Sequence, residues 1–398
     1  MGIMRSKEYD ICVIGGLGHV GLPLGIVFAS KGLRVCLQDI NEESAEVLRQ
    51  ERMPFVEYGA EPILKEVLSS GKLTISLEPE SVSMAKYVII AIGTPVDEYL
   101  NPKTRQFLEF IHDIRKYLDP TQIIIIRSSV FPHTCRQIVT ELRDDQEWHL
   151  AYCPERIVQG YAVQELEKLP QIVAGVTEKA VEEASELFSK ITSKIIHASM
   201  NEAELVKLFS NSWRYIQFAV ANQFHMICED FDMDYDRVRN IMVEGYERAK
   251  GLPSAGFAAG PCLLKDTMQL SAFYNNSFLL GHAAMMINEG LPNFIVKGLK
   301  NKYDLSQKKV GILGMAFKSD IDDIRDSLSY KLGKILRFHG SKVFCSDEFA
   351  KDPTFISKEE LIDSSDIIVV GVPHSAYEGL IIPDHVEVVD LWGVTKKK

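Results

Sequence analysis

Largely apolar runs of five to seven residues recur through the first 153 positions, at 9–15, 33–39, 72–76, 87–92, 122–127 and 149–153, with helical periodicity between them. Runs of this kind fit strands covered on both faces, and the stretches between them supply the crossovers of a parallel sheet. The rhythm breaks at residue 201. From 202 to 231 neither proline nor glycine interrupts a helical stretch, and its apolar residues, Leu205, Leu208, Phe209, Trp213, Ile216 and Phe224 among them, fall on several sides of one helix. Such a helix is expected to be buried between partners. A second alternation starts at residue 308, with strands at 309–313, 342–346, 366–371 and 387–391. The elements predict two doubly wound α/β domains joined by a helical middle domain with a long central helix. The boundaries fall at 1–198, 199–300 and 301–398, and 398 residues suffice for two or three cores.

Composition narrows the partners. A net charge of -11 argues against a nucleic-acid binder, although a local nest of N–H groups and a few cations still binds phosphate. Every apolar run falls far short of the roughly 20 residues that span a bilayer, so no membrane segment is expected. No basic-then-apolar leader precedes Tyr9, and the seven cysteines are scattered, odd in number and without a CxxC pair. Neither a disulfide framework nor a zinc ribbon follows, and the expected setting is a reducing cytoplasm. The ten histidines show no metal-ligand spacing, so no metal is expected.

Chemistry enters at six places. The first apolar run ends in Gly16-Leu17-Gly18-His19-Val20-Gly21 and leads into a helical pattern. This is GxGxxG between a strand and a helix, where glycines permit a tight turn and a pyrophosphate sits at the helix N-terminus. Asp39 ends the second run, 18 residues past Gly21, at the place of a carboxylate that bonds a ribose; no cation follows it closely, which favours NAD over NADP. Thr94 and Ser129 lie at later strand exits, where ligands of open sheets bind. Glu155 follows another exit and reads as a base, a substrate contact or an ordinary ion pair. Lys207 and Asn211 are four apart on one helix face. Most telling is the run from Gly256 to Asp266: small residues, then Cys262, then Lys265 and Asp266. A cysteine on such a loop beside a cation has the surroundings of a nucleophile; the bland reading is a buried thiol at a helix start. In the last third, Lys318 and Arg325 stand at a strand-to-helix turn suited to a second phosphorylated ligand.

In order, Gly16 to Gly21 with Asp39, Thr94-Pro95, Arg127-Ser128-Ser129, Pro154-Glu155-Arg156, Lys207 with Asn211, Gly260 to Asp266, and Phe317-Lys318 through Ser327 resemble the UDP-glucose and GDP-mannose dehydrogenase family over about 310 residues. The resemblance implies two Rossmann-like domains and oxidation of the C6 alcohol of a UDP-sugar to a carboxylate by two NAD in succession. It implies that Cys262 forms a thiohemiacetal and a thioester, that Lys207 and Asn211 stabilise charge on the C6 oxygen, and that Asp266 and Glu155 share the proton and water chemistry. Gly16, Gly18, His19, Val20, Gly21, Asp39, Thr94 and Ser129 would hold NAD. Phe257, Gly260, Lys318 and Arg325 would hold the substrate, and Arg248 would reach the site of a neighbouring subunit in a homodimer built on the central helix. The site would lie in the cleft between the α/β domains. The loop departs from the family in Ala258, Ala259 and Pro261 where glycine and serine are usual, and Leu264 replaces a frequent proline. Pro154-Glu155-Arg156 leans towards UDP-N-acetylhexosamines, and residues 264–267 lean towards UDP-glucose; the two remain open. The alternatives are a two-electron dehydrogenase of the hydroxyacid type, which needs no cysteine, and a non-catalytic nucleotide-sugar binding protein.

Overall fold

The computed structural model describes residues 7–94, 96–97, 101–144 and 146–395. Pro95 and the lysines at 396–398 lie outside them. The chain falls into two units, Met1–Phe209 and Ser210–Lys398.

The first unit is built on one sheet of eight strands: β1 (Tyr9–Ile14), β2 (Val35–Gln38), β3 (Leu73–Ser76), β4 (Ala85–Ile90), β5 (Ile123–Ile126), β6 (His149–Tyr152), β7 (Gln171–Gly175) and β8 (Ile195–His197). Their order is β3-β2-β1-β4-β5-β6-β7-β8. Alternation along each strand explains the two apolar layers. In β1, Ile11 and Val13 join Leu37, Ile89, Ile125 and Phe188 on one face, while Cys12 and Ile14 join Val88, Ile90, Ile124 and Leu150 on the other. The first six strands match the six early runs and are parallel, as a doubly wound sheet requires. The last two were not foreseen. β7 runs antiparallel to β6, with Tyr152 opposite Ala174. The order turns back between β1 and β4, and at that switch point the GxGxxG turn leaves β1 for the helix Gly21–Ser30.

The long helix Met200–Asp230 contributes its first turns to the first unit and the rest to the second. It is not buried all round as its composition predicts. Leu208, Asn211, Tyr215, Ala219 and Asn222 form a buried seam, whereas Trp213 is 60% exposed, Phe231 72%, and Val220, Phe224 and Ile227 share their exposure. In a single chain that apolar stripe faces solvent, which is the reason for the difference.

In the second unit the helices Leu263–Phe273 and Leu279–Lys302 precede a four-stranded sheet, β9 (Lys309–Leu313), β10 (Lys342–Ser346), β11 (Ile367–Val370) and β12 (Glu387–Asp390). Its order, β10-β9-β11-β12, is parallel throughout and repeats that of β2-β1-β4-β5. Asp347 ends β10 as Asp39 ends β2. Asp347 Oδ2 accepts from the N–H groups of Met315 (2.6 Å) and Ala316 (2.9 Å), and Oδ1 accepts from those of Phe349 and Ala350 at 2.8 Å. Buried His374 takes the Asp320 N–H on Nδ1, which leaves Nε2–H to donate to Asp347 Oδ2 at 3.0 Å. Burial pushes the Asp347 carboxyl up, but the His374 bond and the backbone donors outweigh it and hold it at about 2.

Candidate active site

The turn after β1 admits only glycine at two of its positions. A Cβ on Gly16 would stand 2.8 Å from the Val13 carbonyl oxygen, and one on Gly21 would overlap Gly15. Gly18 is different: its added Cβ would meet only the Gly15 oxygen, at an ordinary 3.5 Å. Packing therefore does not forbid a side chain at exposed Gly18, but a ligand lying against the turn would. Asp39 braces the same turn. Its Oδ2 accepts the Leu17 N–H (2.9 Å), and its Oδ1 accepts those of Ile40 (2.8 Å) and Asn41 (3.2 Å). A carboxylate offers about four lone-pair sites, so one remains for a ribose hydroxyl. Val20 caps the helix that follows, and the His19 ring packs on Phe55 with centroids 4.0 Å apart. Thr94 and Ser129 meet, since the Thr94 hydroxyl donates to the Ser129 carbonyl at 2.7 Å. These residues fit a dinucleotide: glycine turn, helix N-terminus and acid are in the relation that a pyrophosphate and a ribose require.

Two partners in this unit were missed in the sequence. Buried Glu204, on the long helix three residues before Lys207, accepts the N–H groups of His133 (2.6 Å) and Cys135 (3.0 Å) and so caps the helix Thr134–Leu142. It ties the loop that carries Ser129 to the helix that carries Lys207. The second is Arg127. Its guanidinium pairs with Glu155 Oε2 and donates to the Cys153 carbonyl (3.0 Å) and to Gln171 Oε1 (2.7 Å). Glu155 Oε1 accepts the N–H groups of Arg156 (2.6 Å) and Ile157 (2.8 Å), so both carboxylate oxygens are engaged. Burial pushes the neighbouring Cys153 thiol up to about 12, with Arg127 pulling weakly the other way; it is inert at neutral pH.

The second unit holds the cysteine segment. All seven cysteines remain thiols; six are buried and Cys262 is exposed. Cys262 is the N-cap of the helix Leu263–Phe273, and its carbonyl accepts the Asp266 N–H at 2.8 Å. One turn in, Asp266 is fully buried. Asn211 donates to its Oδ2 at 2.6 Å, Lys265 Nζ lies 3.7 Å from Oδ1, and Oδ1 has no hydrogen-bond donor. An orphaned buried carboxylate oxygen beside an exposed thiol is an acceptor awaiting a proton or a water. Arg325 forks onto Asp323, with Nε 3.0 Å from Oδ1 and Nη2 2.6 Å from Oδ2. Its pKa is raised first by the Asp323 hydrogen bond, against burial, and the Cys262 sulfur is among the charges that add to it. The coupling is mutual: a cation that gains from a thiolate also favours it.

Gly260 takes a left-handed φ of +99°, and any Cβ there would run into the Phe317 ring. Lys318 follows Phe317 and is half-buried. The Phe257 ring belongs to the core with Leu291 and Ile295, so only its backbone is available to a ligand. Arg248 is exposed on the turn Glu247–Ala249, and Lys207 is half-buried one helical turn before Asn211.

Residues 9–192 match the NAD binding domain of the UDP-glucose/GDP-mannose dehydrogenase family, residues 201–289 its central domain and residues 311–397 its UDP binding domain. A UDP-N-acetyl-D-mannosamine dehydrogenase of Methanocaldococcus jannaschii is 30% identical over 374 residues, 92% of this chain and 86% of its own. The structure of a UDP-D-ManNAc dehydrogenase from Pyrococcus horikoshii is similar with a TM-score of 0.85 at 28% identity, covering 92% of this chain and 90% of that one. The UDP-N-acetyl-mannosamine dehydrogenase Cap5O of Staphylococcus aureus reaches 0.85 at 26% identity, covering 98% and 95%. Among the described residues no helix is long and apolar enough to cross a membrane.

Proposed function

This chain belongs to the UDP-glucose/GDP-mannose dehydrogenase family and is an NAD-dependent nucleotide-sugar dehydrogenase, and from that premise we propose that it oxidises C6 of a UDP-N-acetylhexosamine through Cys262. The observation that carries the reading is the one exposed thiol, at a helix N-terminus, four residues before a buried carboxylate with an orphaned oxygen. UDP-N-acetylmannosamine is the first sugar to try, because relatives at 26–30% identity are named for it and Pro154-Glu155-Arg156 leans the same way.

In this scheme the C6 alcohol loses a hydride and a proton and becomes an aldehyde. The Cys262 sulfur adds to that carbon as the C=O π bond opens and the thiol proton passes to oxygen. Loss of a second hydride and of the hydroxyl proton turns the thiohemiacetal into a thioester, and water cleaves the C–S bond to give carboxylate and thiol. NAD, when bound, takes up each hydride. Lys207 and the second N–H of Asn211 stabilise charge on the C6 oxygen. Asp266 Oδ1 holds the water, and Glu155 accepts the proton of hydrolysis once its pair with Arg127 opens. Lys318 and Arg325 take the diphosphate, Arg325 exchanging Asp323 for phosphate. The backbone at Phe257 and Gly260 lines the sugar.

We read the protein as cytoplasmic from its seven reduced thiols, and as three domains divided at 198 and 300. It pairs with a second copy through the stripe from Trp213 to Phe231, which offers Arg248 to the partner's site. The deciding assay counts NADH per UDP-N-acetylmannosamine consumed. Two per sugar is expected, with Cys262→Ser losing the second and Glu155→Gln giving a burst followed by slow release. One per sugar, unchanged in Cys262→Ser, would favour the two-electron reading; binding without NADH would favour the binding protein.

A further inference from the structure

Gly256, six residues before Cys262, is held by a buried side chain. Its N–H donates to Asn222 Oδ1 at 2.8 Å, and its carbonyl accepts from Asn222 Nδ2 at 3.0 Å. The remaining Asn222 N–H goes to Asn288 Oδ1 at 2.9 Å, and Asn288 Nδ2 donates to the Tyr215 carbonyl at 3.0 Å. Both asparagines are fully buried. The network fixes the amide orientation, because a flipped Asn222 would set donor against donor at the Gly256 N–H. Trp392 closes the other side: a Cβ on Gly256 would lie inside its ring. Asn222 stands 11 residues after Asn211 on the same helix, close to three turns, so the two share one face. Asn211 grips Asp266, four residues after Cys262, while Asn222 grips Gly256 before it.

We infer that Asn222, seated on Asn288, is a positioning residue for Cys262: one face of the long helix holds both ends of the cysteine segment and sets the reach of the sulfur to C6. The inference rests on the thioester reading. Formation of the aldehyde does not need the sulfur, but the second oxidation begins only when the S–C bond forms, the C=O π bond opens and the thiol proton moves to oxygen. A loosened segment therefore lets aldehyde escape. Misplacement by about 1 Å is enough to slow such a step by about 100-fold.

The test uses the full chain with NAD and UDP-N-acetylmannosamine, semicarbazide to trap aldehyde, and iodoacetamide to read Cys262. Asn222→Ala is expected to yield between one and two NADH per sugar with trapped aldehyde, a kcat lower by 10-fold or more and a KM within about threefold. The pH midpoint of Cys262 alkylation should rise as the sulfur leaves Arg325. Loss of stability alone would move neither the NADH ratio nor that midpoint. Asn288→Ala leaves both bonds between Asn222 and Gly256 in place and removes the seat beneath Asn222, so a smaller change of the same sign is expected, and it decides the matter if Asn222→Ala does not fold. Two NADH per sugar with an unmoved alkylation profile in a folded variant would overturn the inference. Two NADH per sugar in Cys262→Ser would instead overturn the thioester reading beneath it.

Discussion

Cys262 owes its distinction to exposure. Its six companions are buried, five of them in strands or helices and Cys153 just past the end of β6, where a thiol packs like any small apolar group, and burial raises Cys135 and Cys153 out of reach of neutral pH. A thiol reagent at neutral pH is therefore expected to modify one cysteine per native chain quickly, and none in Cys262→Ser. Two fast thiols in the folded protein would contradict the burial. The identity of this residue was legible because small residues, cysteine, lysine and aspartate lie within one short run. Glu204, Arg127 and Asn222 were not. Their partners are 69 and 71, 28, and 34 residues away in sequence, and neither spacing nor composition announces a contact of that range.

Among elements, the six strands of the first alternation and the four of the second were readable, because buried parallel strands are apolar without alternation. β7 and β8 escaped notice: β8 has three residues, and an antiparallel return leaves no mark that a parallel strand lacks. The cysteine segment is the element most sensitive to a single atom. Gly260→Ala asks an alanine to adopt a φ of +99° and places a methyl group in the Phe317 ring. A strain of about 2 kcal/mol is expected, relieved by movement of the segment. Cys262 alkylation and kcat should change while the affinity for NAD stays as it was; an unchanged kcat would show that Phe317 yields instead. Beside that segment, Asp347 makes a prediction about acid. Its carboxyl is held at about 2 against an ordinary 3.8, so the folded state gains from its charge above pH 4 and loses that gain as pH falls through 2. The gain is about 2 kcal/mol. Urea unfolding of Asp347→Asn should give lower stability at pH 7 and a smaller drop between pH 4 and 2 than the native chain; parallel curves would deny the pairing.

For the whole molecule, the exposed stripe of the long helix is the feature that a lone chain leaves unresolved. Trp213, Phe224, Ile227 and Phe231 expose apolar surface along one helix, more continuous than isolated surface residues explain. Sedimentation is expected to find a dimer, and Trp213→Glu with Ile227→Glu to yield monomers with weakened turnover. A native monomer would remove the partner from the scheme. The sequence read the helix as apolar on several sides but had no means of telling a domain neighbour from a second copy.

The strand order built twice gives the two halves opposite fates. At the end of β2, Asp39 retains a lone pair for a guest; at the end of β10, five donors from Met315, Ala316, Phe349, Ala350 and His374 leave Asp347 none. One is a socket, the other the same socket plugged. On the proposed reading, spent and fresh electron carrier are therefore expected to compete for one berth beside Asp39, and neither is expected to occupy the place of the sugar's nucleotide.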